Sequence, residues 1–374
     1  MGTITPYESA GGKRYRVRYR KPDGSQTDKR GFRRKVDAEL FLASVEVAKA
    51  RGFYIDPAAS RITLADWLEA TMRRRSDLRP SSLDRLEGIV RRDISPKLGR
   101  YALGDLRREV VAEWAAALSK DQGPASVRKI VGVLSGALRE AVEAGRIPSN
   151  PAERLKLPRV VKANKRYLSR AELHLLADEV ERRRPGWGLL VLVLGYCGLR
   201  WGELSGLQVR DVAVGRRRLE VRTTVVEVNG VQHVSRPKTY EERSVPVPAT
   251  VMRMLEDAIA GRGPDEPLFP SARTAGHLRN RVFRRGGFDQ AATHVGRDGL
   301  VPHELRHTAA SLAVSAGANV LMVSRMLGHA SPKETLDTYT GLFEADVDTV
   351  AERLEEGLAA SDVGKMWAKP SPAE

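Results

Sequence analysis

The sequence has almost no cysteine: Cys197 stands alone among 374 residues. A lone thiol cannot close an intrachain disulfide, and it excludes a structural zinc site built on several thiolates. Long apolar runs are missing too. The longest, LLVLVL at 189–194, is too short to span a bilayer and reads as part of a buried helix. No apolar signal-peptide core is visible near the N-terminus. Together these absences set the expectation of a reducing cytoplasm and no membrane.

Acidic residues are also in deficit. Forty-seven Asp and Glu face 63 Lys and Arg, a formal net charge of +16. With 41% hydrophobic and 29% charged residues the chain is otherwise an ordinary globular protein, long enough for two or three domains. The excess therefore points to a polyanion, with nucleic acid ahead of a membrane surface, although a solvated basic surface would have the same composition. Arginine outnumbers lysine roughly three to one, which favours forked contacts to phosphate.

The charge is concentrated first in residues 1–35, where 11 Lys and Arg meet three acids, a net of +8. RYRVRYR at 14–20 alternates Arg14, Arg16, Arg18 and Arg20 with Tyr15, Val17 and Tyr19, the period of a strand with one basic face. KPDGS at 21–25 reads as a turn, and QTDKRGF at 26–32 as the returning strand. A helix fits VDAELFLASVEVAKARG, with Leu40, Phe41, Val45 and Ala48 on one side. This module, 1–57, reads as a sheet that puts arginines into a DNA groove.

Residues 62–147 read as four helices, the first capped by Thr63 and the second by Ser81 or Ser82, with Gly145 closing the last. The connector PSNPAERLKLPRVVKANKR, 148–166, has three prolines and six basic side chains, Lys162, Lys165 and Arg166 among them. It suits a strap across phosphates rather than a helix. The third segment, 167–360, opens on a capping box, Ser169 with Glu172, behind a candidate staple at Leu168. A buried helix follows at about 187–198. Next comes a β-rich stretch with an Asn229-Gly230 hairpin turn, a wider turn at SRPKTYE, and a strand at about 243–247. Helices fill the rest. Residues 361–374 have the composition of a disordered tail.

HELRH at 303–307 matches the H-E-x-x-H zinc signature letter for letter. Its extended form fails, because Ala310 stands where glycine is needed and Ala313 where the third histidine is needed. On a helix His303 and His307 would share a face, with the permanent cation Arg306 crowding it against a dication.

Four stretches carry the function: CGLRWGEL (197–204), PKTYEERSVPVP (237–248), PHELRHTAASL (302–312) and LGHASPKETLDTYTGL (327–342). In this order and spacing the chain resembles the tyrosine recombinases, or phage-type integrases. The basic module and the helical segment resemble, more loosely, that family's arm-site-binding and core-site-binding domains. The resemblance implies a multidomain, mainly α fold with small β elements (α+β). It also implies a metal- and ATP-independent DNA strand transferase without a cofactor. Tyr339 is then the nucleophile that forms a 3′-phosphotyrosine. Arg200 and Arg306 clamp the phosphate, and Lys238 is the general acid for the leaving 5′-oxygen. His303 is the acid–base partner of the tyrosine, His329 a donor to the phosphate, and Glu203 and His307 orient these groups. A phenol with its ordinary pKa near ~10 is a poor nucleophile until neighbouring cations favour the phenolate.

The implied partners are double-stranded DNA at core-type and arm-type attachment sites, further copies in a homotetramer, a host DNA-bending factor and an excisionase. The implied home is the bacterial cytoplasm, on the nucleoid. Val347, Val350, Leu354 and Leu358 would form one face of a last helix, docked on a neighbouring subunit or on its own domain. Cys197 stands where the family often has threonine, and is expected to pack rather than react. Two other readings keep the same motifs: a DNA-binding protein that has lost cleavage, and a relaxing enzyme of the type IB topoisomerase kind.

Overall fold

The computed structural model describes residues 2–22, 24–50, 54–56, 58–160, 167–235, 242–343, 354–356 and 358. The chain divides into two compact units, Met1–Lys162 and Ala163–Glu374.

The first unit begins with a sheet of three strands: β1 (Thr3–Ser9), β2 (Gly12–Arg20) and β3 (Gln26–Phe32). The order is β1-β2-β3 and all pairs are antiparallel. The pattern of the sequence does not reveal β1, whose TITPYES has one proline and weak alternation. Alternation in β2 buries Val17 and Tyr19 against helix α1 (Lys35–Ala50), with Arg18 and Arg20 exposed on the opposite face. Arg14 and Arg16 are half-buried, and Arg16 lies 3.9 Å from Asp28 where the β2–β3 register shifts. The helix packs through Ala38, Phe41, Leu42 and Val45. Leu40, expected on that face, is 66% exposed. The 38-41-42-45 set is the true 3.6-residue stripe, and Leu40 falls outside it.

Next comes a helical bundle of α2 (Leu64–Arg74), α3 (Pro80–Ile89), α4 (Ser95–Leu98), α5 (Arg108–Asp121) and α6 (Pro124–Glu143). Thr63 caps α2 by accepting from the Asp66 N–H. Neither Ser81 nor Ser82 caps α3. Pro80 occupies its first turn, where a missing N–H costs nothing. A π turn, Val90–Ile94, joins α3 to α4. Pro96 cannot donate back to the Arg92 carbonyl, and the ladder widens just before it. The bundle closes on Leu64, Leu68, Leu134 and Leu138, all fully buried. The connector up to 160 is tied to this bundle by its backbone. Arg108 donates to the Glu153 and Arg154 carbonyls and Arg128 to that of Pro158. Lys162, Lys165 and Arg166 lie outside the described residues.

The second unit is organised around α8 (Trp187–Cys197), preceded by α7 (Arg170–Arg183). Nine of the 11 residues of α8 are buried, as a helix apolar all round requires. The Ser169–Glu172 capping box is present at the start of α7, with Leu168 buried beside it. After α9 (Trp201–Gly206) come β4 (Val212–Ala213), β5 (Arg218–Val221), β6 (Thr224–Val228), β7 (Val231–Ser235) and β8 (Arg243–Pro246). Asn229 and Gly230 both take positive φ, 51° and 79°, in the two-residue turn between β6 and β7. The next strand does not extend that hairpin. β8 pairs with β5, in a separate sheet of order β4-β5-β8. The unit is completed by α10 (Ala249–Ile259), α11 (Asn280–Phe283), α12 (Asp289–His294), α13 (Pro302–Ser315), α14 (Val320–Leu327) and α15 (Pro332–Phe343). No helix among the described residues is long and apolar enough to cross a membrane. Of the expected terminal helix, Val347 and Val350 lie outside the described residues. Leu354 and Leu358 are in helical conformation and exposed.

Candidate active site

Side chains from α9, β8, α13, α15 and the turn after α14 are brought together in the second unit. Arg200 stands at the N-cap of α9, where Glu203 accepts from its backbone N–H at 2.8 Å and from Nη1 at 3.0 Å. Its Nη2 donates to the carbonyl of Gly328 at 3.2 Å. Arg306, on α13, is 2% exposed and donates through Nη1 to the carbonyl of Gly198 at 2.7 Å, while its Nη2 is buried without a hydrogen-bond partner among the described residues. Each arginine is thus aimed by the carbonyl of a glycine in the left-handed region, Gly198 at φ 66° and Gly328 at 65°. A Cβ at Gly198 would meet Leu327 at 2.5 Å, and one at Gly328 would meet Arg243 at 2.8 Å, so both turns need glycine twice over.

A buried guanidinium with an unfilled donor is unusual. Burial and the nearby charge of Arg200 pull Arg306 down to about 10, with Glu203 opposing. Two neighbouring cations, one with a buried donor not taken up by a hydrogen bond among the described residues, suit an anion with several oxygens.

Glu203 is the counterweight. It is 2% exposed and bound in a two-point ion pair by Arg243, at 2.9 and 2.7 Å. Burial alone would raise its pKa, but the hydrogen bonds and charge of Arg243, then Arg200, hold it at about 2. Arg243 also donates to the Met326 carbonyl at 3.2 Å and so ties β8 to α14. Sequence reasoning missed this arginine among dozens. The available signal was alternation: Arg243 shares a strand face with the buried Val245 and Val247.

Tyr339 lies within α15 at a break in the helix, φ −130° and ψ 18°, and is 1% exposed. Its hydroxyl meets Nδ1 of His307 at 2.7 Å. Burial pushes the phenol up to about 12, Tyr167 and Glu334 adding to the rise while Arg306 and Arg200 oppose it. His303, one turn back on α13, is exposed and meets the His307 ring at 5.4 Å. The phenol's hydroxyl partner is therefore His307, with His303 one step further out. Glu304, the would-be base of a zinc protease, instead accepts from the Val301 N–H at the start of α13.

His329 stacks on Tyr339 with ring centres 6.4 Å apart. Its Nδ1 meets the hydroxyl of the buried Thr335 at 2.7 Å. Burial, then the charge of Arg306, lowers it to about 4 against the pull of Glu334, so the ring is neutral at ordinary pH. Whichever way that hydrogen bond runs, Nδ1 is occupied by Thr335, which leaves Nε2 as the ring nitrogen available to another partner. Cys197 is fully buried and its thiol is pushed up to about 12, so it packs. Lys238 lies outside the described residues.

Comparison with known proteins gives the family and the fold. Residues 166–345 match the Phage integrase family. An integrase of Mycobacterium phage FRAT1 is 28% identical over 336 residues, covering 86% of this chain and 98% of the relative. Tyrosine recombinase XerD of Pseudomonas aeruginosa is 30% identical over 240 residues, 61% of this chain and 74% of the relative. A lambda integrase tetramer bound to a Holliday junction shares the fold, with a TM-score of 0.57 at 20% identity over 88% of this chain and 96% of that one. The mainly helical, multidomain α+β architecture is that of the integrases.

Proposed function

We infer what this chain does from its family, for it belongs to the phage integrases, the tyrosine recombinases, and is a site-specific DNA recombinase. Its substrate on this reading is double-stranded DNA, cut and rejoined at short attachment sites to integrate or excise a mobile genome. Four copies act together on paired sites, as in the lambda assembly on a junction.

The observation that carries the chemistry is Arg306: a buried guanidinium with an unfilled donor, beside a second arginine and a tyrosine hydroxyl. Arg200 and Arg306 bind the nonbridging oxygens of the scissile phosphate and stabilise the charge that grows on them. His329 donates to the same oxygens through Nε2. The Tyr339 oxygen attacks phosphorus, the bond to the 5′-oxygen breaks, and Lys238 protonates the departing oxygen. His303 and His307 stand on the tyrosine side as acid–base groups, and Glu203 sets the aim of Arg200. The resulting 3′-phosphotyrosine conserves the linkage, so a 5′-hydroxyl from the partner duplex reverses the step.

In the first unit, Arg14, Arg16, Arg18 and Arg20 on β2 contact arm-type DNA and the bundle binds core-type DNA, and in the connector Lys162, Lys165 and Arg166 add phosphate contacts. A host bending protein and an excisionase complete the assembly on the bacterial nucleoid. The test is a duplex nicked just beyond the cut site, which traps the cleaved strand. Wild-type protein should form a detergent-stable protein–DNA adduct and Tyr339→Phe none. Absence of adduct with wild type on its cognate site would leave a binding protein instead.

A further inference from the structure

The nucleophile is shut off from solvent, yet its proton has to leave. Tyr339 is 1% exposed, His307 half-buried and His303 exposed, so the three groups form an outward series. The Tyr339 hydroxyl is 2.7 Å from His307 Nδ1, with the rings edge-on at 5.6 Å and 64°. His307 meets His303 the same way, at 5.4 Å and 76°. Spacing of four residues puts both histidines on one face of α13.

We propose that His307 is the general base that takes the Tyr339 proton, and that His303 relays it to solvent. This rests on the recombinase reading above and assigns a role within it.

Among the other groups around the phenol, Glu334 is a carboxylate, but it is exposed and lies beside His329 Nε2 at 3.8 Å; the rest are poor acceptors. Arg306 of α13 and Arg200 of α9 are cations, with nothing to accept a proton. His329 lies parallel to the ring, 12° between planes, with Nδ1 engaged by Thr335 and Nε2 3.8 Å from Glu334. Tyr167 is itself a phenol held protonated by burial. Burial of Tyr339 means that the nucleophile arrives protonated at neutral pH, which makes a base necessary.

His307 carries its ring proton on Nε2 and accepts the phenol proton at Nδ1 as the oxygen–phosphorus bond forms. The imidazolium passes its Nε2 proton outward to His303 and thence to water. On rejoining the relay runs backwards: the bond from the tyrosine oxygen to phosphorus breaks, the departing phenolate takes the Nδ1 proton of His307, and His303 returns a proton to Nε2.

The test uses the full chain and three substitutions, with cleavage rate read against pH. His307→Asn keeps an acceptor near Nδ1 but cannot take up a proton. It should bind DNA and melt like wild type, cleave about 10²–10³-fold more slowly at neutral pH, and lose the acid limb of the pH profile. His303→Asn should lose less, because water can replace the outer step. A fluorinated tyrosine at position 339, whose phenol ionises at lower pH, should bring His307→Asn to within about tenfold of the matching protein with His307, since a weaker base then suffices.

A 5′-phosphorothiolate substrate, whose sulfur leaves without a proton, should rescue Lys238→Ala but not His307→Asn. Cleavage by His307→Asn within a factor of about three of wild type, a retained acid limb, or rescue by the sulfur substrate would overturn the assignment, since general-base loss is worth far more than threefold. Absence of adduct even from wild type would overturn the recombinase reading along with it.

Discussion

Arg243 and Glu203 form a two-point ion pair, 2.9 and 2.7 Å, with the carboxylate almost wholly buried and Arg200 on its other side. Arg243→Leu strands that carboxylate without its main partner. Breaking one side of a buried pair costs about 3–5 kcal/mol. At roughly 2–4 °C per kcal/mol for a unit of this size, calorimetry should show the melting temperature falling by about 10 °C. A fall of only a degree or two would mean that the pair is solvated.

Arg306 should behave in the opposite sense. Its guanidinium is buried with Nη2 unpaired, so part of its energy is strain held for the substrate. Arg306→Met should cut cleavage by more than about 10²-fold, as loss of a transition-state donor does. Its thermal stability should stay unchanged or rise, because a buried unpaired donor is removed. Strong destabilisation with intact cleavage would contradict both roles.

Stability should depend on pH at both ends. His329, held down at about 4 by burial and Arg306, favours folding above its ordinary 6.5, and this contribution is lost as pH falls from 6.5 to 4. For Glu203, burial works against ionisation but Arg243 and Arg200 win. Its contribution is complete above 4.5 and lost as pH falls toward 2. Tyr339 has a raised value, so its contribution is intact below pH 10 and lost on the way to about 12. Urea titrations across pH should show two acid limbs and one alkaline limb. Tyr339→Phe should shrink the alkaline one, leaving the part that the buried Cys197 and Tyr167 contribute.

Much of this was legible beforehand, for physical reasons that differ by element. Asn229-Gly230, the Thr63 cap and the Ser169–Glu172 box are local chemistry, and local chemistry is written in adjacent letters. The motifs around Arg200 and Arg306 were legible because each sits at a helix start that fixes its aim. Three things depended on distant contacts. Nothing in RSVPVP says that β8 joins β5 rather than β7. Nothing in HELRH says which histidine faces the phenol, since both lie on one helix face and only the approach of α15 decides. Gly328 and Gly198 are visible as glycines, but not as the carbonyls that hold two arginines.

On the first unit, Arg18 and Arg20 are exposed on β2, where they can meet phosphates. Arg18→Ala with Arg20→Ala should weaken binding to arm-type DNA. The slope of log affinity against log salt should fall by about 0.9 for each phosphate that is no longer neutralised. Cleavage of an isolated core site should be unchanged. An unaltered salt slope would show that the basic face of this sheet does not touch DNA.

The most direct measurement is mass spectrometry of the trapped adduct after trypsin and nuclease digestion. Cleavage after Lys333 and Arg353 gives peptide 334–353, which contains one tyrosine, Tyr339. The expected result is a nucleotide linked through phosphate to that residue. A nucleotide on any other side chain, or a strand cleaved with no protein attached, would contradict it.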